Sequence, residues 1–363
     1  MPNKITLSNL NIDTYREAFD QGLTLSSYLE MNDPSPEGSK IDAFGRLLKE
    51  AGIITQSIPE RNIFTPSGEA FLRTTENKAL FPEYTSRTVV NRMREFPLYK
   101  YLVANRTPIN SNTYKGAYID MDEPKNKKAT EMRRIVEASD IPLSKITPGK
   151  RSVEFYKYGR GLEVSYEVLR RSTLDLVKVW LEEVADSAAE NKVAEIITTI
   201  KDGDGNENAA PVVKATDLVT GATKLTREVW IRFLLQFYGK GGANTIVANI
   251  DGLLQILEVL YPTVEVAGKM DELLANGLTV QTTMPQSLIS NMTLLYSPDL
   301  EKVNGKEAIM AINRDRCISE LVEVGSLVNE ADKFIRNQTE VFTVTENSGF
   351  MKMTKDSARI LTL

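Results

Sequence analysis

The sequence predicts an α+β protein with large excursions from its core, on three observations. A helix of unusual length is written between Thr173 and Ile200, residues 105–150 are polar and rich in turns, and residues 211–331 alternate helical with strand-like patterns. The helical pattern supports 28 residues, roughly 42 Å at ~1.5 Å per residue, against a globular mean of about 11–12 residues. Leu174, Val177, Leu181, Val184 and Ala188 form its apolar stripe, which drifts toward Val193, Ile196, Ile197 and Ile200. Ser172 with Asp175 three residues on is a capping-box pattern, and Asp202-Gly203-Asp204-Gly205 ends the helix. Upstream, Val153–Ser165 alternates as a strand does and turns at Gly159 and Gly161.

The other elements follow in order. Residues 1–80 read as a loosely structured arm, with helical spacing at Asp13–Glu30 and Lys40–Ala51 interrupted by Asn32-Asp33-Pro34-Ser35-Pro36, Ala51-Gly52 and Ser57-Ile58-Pro59. Apolar clusters so separated need another surface to lie on. Phe81-Pro82-Glu83-Tyr84 leads into a short helix over Thr85–Phe96. Within 105–150, Tyr114–Met121 and Glu131–Glu137 flank the charged tip Asp122–Lys128, the pattern of a projecting hairpin. A lone hairpin is marginal in water, so it wants neighbours. Thr226 caps a helix over Arg227–Tyr238, Thr245–Ile250 is a buried strand, and Asp251 caps a helix over Leu253–Leu260. Met270–Ala275 is a further short helix. Strands are expected at Leu278–Thr282, Met292–Tyr296, Ala308–Ile312, Leu321–Val328 and Glu340–Thr345. A turn at Glu346–Gly349 and strands at Phe350–Met353 and Arg359–Leu363 close the chain.

Composition removes several function classes. There is no histidine, which excludes Ser-His-Asp and Cys-His catalysis and nearly all histidine metal sites. The one cysteine, Cys317, excludes an internal disulfide and reads as a small buried apolar residue. No apolar run reaches the ~18–20 residues that cross a bilayer, and the first residues lack the pattern of a signal peptide. The net charge of −5 is unevenly placed: Ser86–Arg171 holds 18 Lys plus Arg against 10 Asp plus Glu, and the remainder is −13. A basic middle on an acidic body can complement neighbouring copies or face nucleic acid.

Motifs with chemical potential are weak. Asp202–Asn206 imitates a calcium loop, but its sixth position is Glu207 and its twelfth Val213. Gly239-Lys240-Gly241-Gly242 lacks phosphate-loop spacing and follows a helix. Lys125, Lys127, Lys128, Arg133 and Arg134 form the densest basic cluster, without the interleaved aromatics of a nucleic-acid binder, so acidic protein surface is its expected partner. Trp180 and Trp230 are assigned to the core. No catalytic, cofactor or metal residues are assigned, and no enzyme is expected.

The order of elements, with Phe81-Pro82-Glu83-Tyr84, Tyr158-Gly159-Arg160-Gly161-Leu162-Glu163-Val164-Ser165, the helix Thr173–Ile200, Asp202-Gly203-Asp204-Gly205 and Thr245–Leu260, resembles the major capsid proteins of tailed bacteriophages with the Hong Kong 97-type fold. The resemblance implies an N-terminal arm at 1–80 draped over adjacent subunits and an extended β-hairpin loop at 105–150. It further implies a peripheral domain from 81–104, 151–210 and 332–363, with its spine helix at 173–200, and an α/β axial domain at 211–331. Phe81, Tyr84, Lys125, Lys127, Lys128, Arg133, Arg134, Gly239, Gly241 and Gly242 are then candidates for contact between subunits. The implied function is self-assembly through hexamers and pentamers into an icosahedral head around double-stranded DNA, contacted non-specifically. Its place is the virion, after assembly in the host cytoplasm. A separate scaffolding protein, a portal and a decoration protein are the implied partners, with no membrane and no covalent cross-link. An encapsulin-type compartment shell is the alternative of the same fold, and a histidine-free α/β enzyme the alternative of another class.

Overall fold

The computed structural model describes residues 6–10, 12–39, 41–55, 65–66, 68–111, 113–119, 134, 146–148, 152–238, 241–260, 279–282, 292–303, 305–326, 328–334 and 336–363. Helices α1 (Ile12–Asp20), α2 (Leu25–Asn32) and α3 (Ala43–Glu50) come first. Thr24 and Asp42 cap α2 and α3 by accepting the backbone N–H of Ser27 and Gly45. Helix α4 (Thr75–Glu95) and α5 (Pro97–Leu102) lead into strand β1 (Val103–Ile109). The short pair β2 (Ala117–Ile119) and β3 (Ile146–Pro148) is followed by β4 (Tyr156–Ser165), α6 (Tyr166–Arg171) and the spine helix α7 (Leu174–Asp202). Then come β5 (Val212–Lys214), α8 (Ala215–Leu218), α9 (Arg227–Leu235), β6 (Thr245–Ala248), α10 (Ile250–Leu260), β7 (Thr279–Thr282), β8 (Met292–Tyr296) and β9 (Ala308–Ile312). The last strands are β10 (Ile318–Glu323), β11 (Val328–Phe334), β12 (Thr339–Lys352) and β13 (Ala358–Thr362). The α+β class expected from the sequence holds.

Two sheets organise these strands. One runs β5-β13-β9-β6-β8-β7; in the other, β12 carries β4 along one edge and β11 then β10 along the opposite edge, with β1 outside β10. This redraws the expected division of the chain. The terminal strand β13 is seated between β5 and β9, inside the sheet of the segment 211–331, whereas β10 and β11 belong to the other sheet. Ile360-Leu361 is buried on both sides, so an apolar run rather than an alternation marks this strand.

The alternation of the six-stranded sheet builds two cores. Val247, Leu295, Met310, Ile312 and Ile360 face Val193, Ile196, Ile197 and Ile200 of α7. Ile246, Ala248, Ile309, Ala311 and Leu361 face α9 and α10. A third core joins the first half of α7 (Leu174, Val177, Leu181, Ala185) to α4 and to Leu25, Leu29, Phe44, Leu47 and Leu48.

Several expectations need correction here. Within the chain, Leu10, Leu25, Leu29, Phe44, Leu47 and Leu48 of the arm share one core with α4 and the first half of α7. The short helix expected over Thr85–Phe96 begins at Thr75: Thr74 caps it, and Pro82 is carried inside at the loss of one backbone donor. On α7 the stripe steps by four from Leu181 to Ala185 and Ala189, leaving Val184 and Ala188 half-buried. Ser172 makes no capping box. Thr173 is the N-cap without a side-chain bond, while the Leu174 N–H donates to Pro66 O (3.0 Å) and Thr65 Oγ1 donates to Asp175 Oδ2 (2.9 Å). Asn249, not Asp251, accepts the Gly252 N–H at 2.9 Å at the start of α10. Helix α9 stops at Leu235, short of Tyr238. The turn expected at Glu346–Gly349 is the middle of β12, straightened by strands bonded along both its edges. Gly349 permits this, since a Cβ there would stand 2.5 Å from the Glu154 carbonyl oxygen. The strand expected at Leu321–Val328 is broken by Val324-Gly325 into β10 and β11. In the 105–150 excursion, Ala117–Ile119 pairs with Ile146–Pro148, while the strand expected at Glu131–Glu137 lies, Arg134 apart, outside the described residues. The tip Asp122–Lys128 and the helix expected at Met270–Ala275 lie outside the described residues.

Ile196 is fully buried where α7 meets the six-stranded sheet, whereas Leu176 is 43% exposed. Ile196→Ala is expected to cost about 2–5 kcal/mol and Leu176→Ala under about 0.5 kcal/mol, measured by urea denaturation of the unassembled chain. Equal costs would contradict the assigned faces of the helix.

Candidate functional site

The seam between α7 and the five-stranded sheet contains charge. Lys192 lies on the buried side of α7 beside Ala189 and Val193, and only 1% of it is exposed. Its Nζ donates to Glu320 Oε1 of β10 at 2.8 Å and to Glu346 Oε2 of β12 at 2.6 Å. The Arg106 guanidinium of β1 donates to Glu346, and its Nε stands 3.5 Å from Glu320 Oε2. Tyr99 of α5 donates its hydroxyl proton to Glu320. The Lys192 ammonium also lies 5.3 Å from the centroid of the Tyr158 ring on β4. Two cations thus balance two carboxylates, and every one of these partners comes from a different element.

Burial governs the proton affinities. It works to raise the Glu320 pKa, but the charges of Lys192 and Arg106 and the bonds to that carboxylate prevail, so Glu320 titrates below its ordinary range. Burial also lowers the Lys192 pKa, and Glu320 offsets this only in part. Tyr99 is pushed up by burial and then by Glu320, which keeps it a neutral donor. Glu320 is fully buried and Lys192 nearly so, so the cluster offers no exposed reacting group. What it does chemically is fix position: α7 cannot rotate or slide without breaking both bonds from Lys192.

A second polar joint locks the far end of α7. Lys352 is 3% exposed, and its Nζ donates to the Ile200 carbonyl at 3.2 Å, satisfying a helix-end acceptor. Its backbone N–H donates to Asp204 Oδ2 at 3.0 Å, and Asn208 Nδ2 donates to its carbonyl at 3.0 Å. Gly203 holds φ +85°, with Asn208 Oδ1 and the Ala209 nitrogen within 2.9 Å of where a Cβ would be. The Gly-Asp-Gly turn is therefore a latch onto β12. Burial brings the Lys352 pKa down to about 8.

The predicted contact residues separate. Phe81 and Tyr84 are buried in the chain's own first core, their ring centroids 5.0 and 5.2 Å from that of Phe71. The helical face that carries them packs inward on this chain's own core. Arg134 is exposed. Gly241 is exposed at φ +92°, and a Cβ there would stand 2.6 Å from Asn313 Nδ2; Gly242, at φ +74°, faces open space. Lys125, Lys127, Lys128, Arg133 and Gly239 lie outside the described residues. Trp230 is core as expected, but Trp180 is only half-buried, in a cleft of about 400 Å³ with Leu162, Val164, Val168 and Val184.

The sequence profile of the phage capsid protein family matches residues 150–348, a segment holding Lys192, Glu320, Glu346, all of α7 and most of both sheets. The chain belongs to the phage capsid protein family. The Hong Kong 97-type fold expected from the resemblance thus has a family match behind it. No curated protein sequence matches this capsid protein. Among solved structures, the holo-SrpI encapsulin complex from Synechococcus elongatus is 14% identical, covering 73% of this chain and 87% of that one at a TM-score of 0.45. Mycobacterium phage Che8 is 11% identical, with 69% and 84% covered and a TM-score of 0.43. The capsid of cyanophage P-SCSP1u is 8% identical, with 73% and 87% covered and a TM-score of 0.45. Among the described residues of this capsid protein, no helix is long and apolar enough to cross a membrane.

The two joints of α7 can be tested separately. Lys192→Met leaves Glu320 and Glu346 with one cation, and is expected to cost about 3–5 kcal/mol in urea denaturation. Adding Glu320→Gln to Lys192→Met should recover part of that loss, because one uncompensated carboxylate is then removed. No recovery would show that the charges are not coupled. At Lys352 the folded pKa of about 8 lies below the ordinary 10.5. Between these values the unfolded chain holds more protons, so this residue's contribution to stability rises with pH. The stability of wild type minus that of Lys352→Met should increase by up to about 3 kcal/mol across that window; a flat difference would place the ammonium in water.

Proposed function

We propose that this capsid protein self-assembles through hexamers and pentamers into an icosahedral phage head enclosing double-stranded DNA, and that it catalyses no reaction. The family match over residues 150–348 carries the reading. The division of charge supports it, since a basic segment on an acidic body gives neighbouring copies opposite surfaces and gives packaged phosphate a non-specific partner. The absence of histidine and the sealed state of the Lys192 cluster support a structural role. A scaffolding protein, a portal and a decoration protein are the proposed companions, and the virion the proposed location.

Mass photometry and electron microscopy of the purified chain test this. Megadalton shells are the expected result, and nuclease-protected DNA is expected inside particles from producing cells. A stable 40.6 kDa monomer under all assembly conditions would reject the shell. Shells enclosing a protein cargo in place of DNA would turn the reading to an encapsulin-type compartment.

A further inference from the structure

Resting on the shell reading, we infer that the exposed faces of α9 and α10 are the two halves of one head-to-tail contact, in which α9 of one copy seats on α10 of the next. Ile231 and Leu235 of α9 and Tyr238 in the turn beyond it recur at steps of four and three, and are 40%, 46% and 88% exposed. They form an apolar strip on the side opposite Val229, Trp230, Phe233 and Phe237, which face the sheet. On α10, Ile250 and Leu254 are 61% and 37% exposed, opposite Leu253, Ile256 and Leu257.

The two helices lie over different strands on one face of the six-stranded sheet, and the Leu225 N–H before α9 donates to Gln255 Oε1 of α10 at 3.1 Å. Arg359 of β13 donates to Gln236 Oε1 at the end of α9 at 3.2 Å, and α8 joins α9 to β5 at the sheet edge. Helix α10 follows β6 on the way to its parallel neighbour β8, on the other side of the strand order. Their charges are complementary. Exposed Lys224 and Arg227 border the α9 strip, where Arg232 and Glu228 neutralise each other at 2.7 Å. Exposed Asp251 and Glu258 border the α10 strip; Lys302 acts on Asp251 from nearby but is itself bonded to Glu307 at 2.5 Å. Two different faces, each apolar at its centre and opposite in charge at its border, repel their own kind and attract each other. A second copy of this chain fits such a pair, and repeating the contact builds a ring when the rotation closes.

The test is charge exchange on the full chain. Asp251→Lys with Glu258→Lys, and separately Lys224→Glu with Arg227→Glu, should each raise the concentration needed for assembly at least ~10-fold, with far-UV circular dichroism unchanged. The quadruple variant carries both reversals and should assemble within about 3-fold of wild type, because the two faces then match again. Ile231→Glu with Leu235→Glu should abolish rings. A quadruple variant no better than either reversal, or an I231E/L235E chain that assembles as wild type does, overturns the inference and leaves the shell reading standing. Wild-type chain that never assembles overturns the shell reading itself.

Discussion

Burying two carboxylates and an ammonium at one seam, with a half-buried guanidinium against them, is the constraint on which the rest of this structure depends. Each ion taken from water costs several kcal/mol unless its partners are placed correctly. Lys192 meets Glu320 and Glu346 at 2.8 and 2.6 Å, and Arg106 and Tyr99 fill the remaining acceptor positions. This arrangement tolerates little displacement. Register between β10 and β12, the rotation of α7 and the docking of α5 are all specified by it, because a one-residue slip in either strand would turn a carboxylate to the other face. An apolar seam of equal volume would bind as well but would allow sliding.

The consequences run outward from that seam. A helix held about its axis presents two different faces along its length. Its first half receives α4 and the arm, and its second half receives the six-stranded sheet. The Lys352 and Asp204 latch fixes the end of α7 to β12, which fixes the distance between the two sheets. The six-stranded sheet then has one face closed by α7 and the other by α9 and α10, so the layer farthest from the charge cluster is the one that carries exposed Ile231, Leu235, Tyr238 and Ile250.

How much of this can be read in the sequence follows from which signals are local. The long helix, its Gly-Asp-Gly stop, the Thr226 cap and the strands at Thr245, Met292 and Ala308 rest on periodicity and capping, which a single chain displays. The charge cluster is not legible in that way. Lys192 interrupts an apolar stripe, and Glu320 lies in a run of residues buried on both faces, but a charge on a stripe normally means a solvated edge. Glu346-Asn347-Ser348-Gly349 has the composition of a turn, and only strands remote in sequence hold it straight. Phe81 and Tyr84 show the same limit. The family resemblance marks them as candidates for contact between subunits, but whether the partner is Phe71 or a neighbouring copy is decided by packing.

A shell subunit has two physical requirements that oppose each other. It needs an interior that does not yield, and it needs surfaces that stay apolar enough to join copies without collapsing onto the chain's own core. This chain separates them by chemistry. Rigidity is placed in bonded charges, which lose their value when geometry shifts by an ångström, and adhesion is placed in short apolar strips bordered by charge. Non-directional burial tolerates small differences in approach, whereas bonded charges do not. On the proposed reading, neighbours that meet at slightly different angles around five-fold and six-fold axes need the tolerant interaction at their contacts and the intolerant one inside. The distribution of Lys192, Glu320 and Glu346 against Ile231, Leu235 and Ile250 has that form.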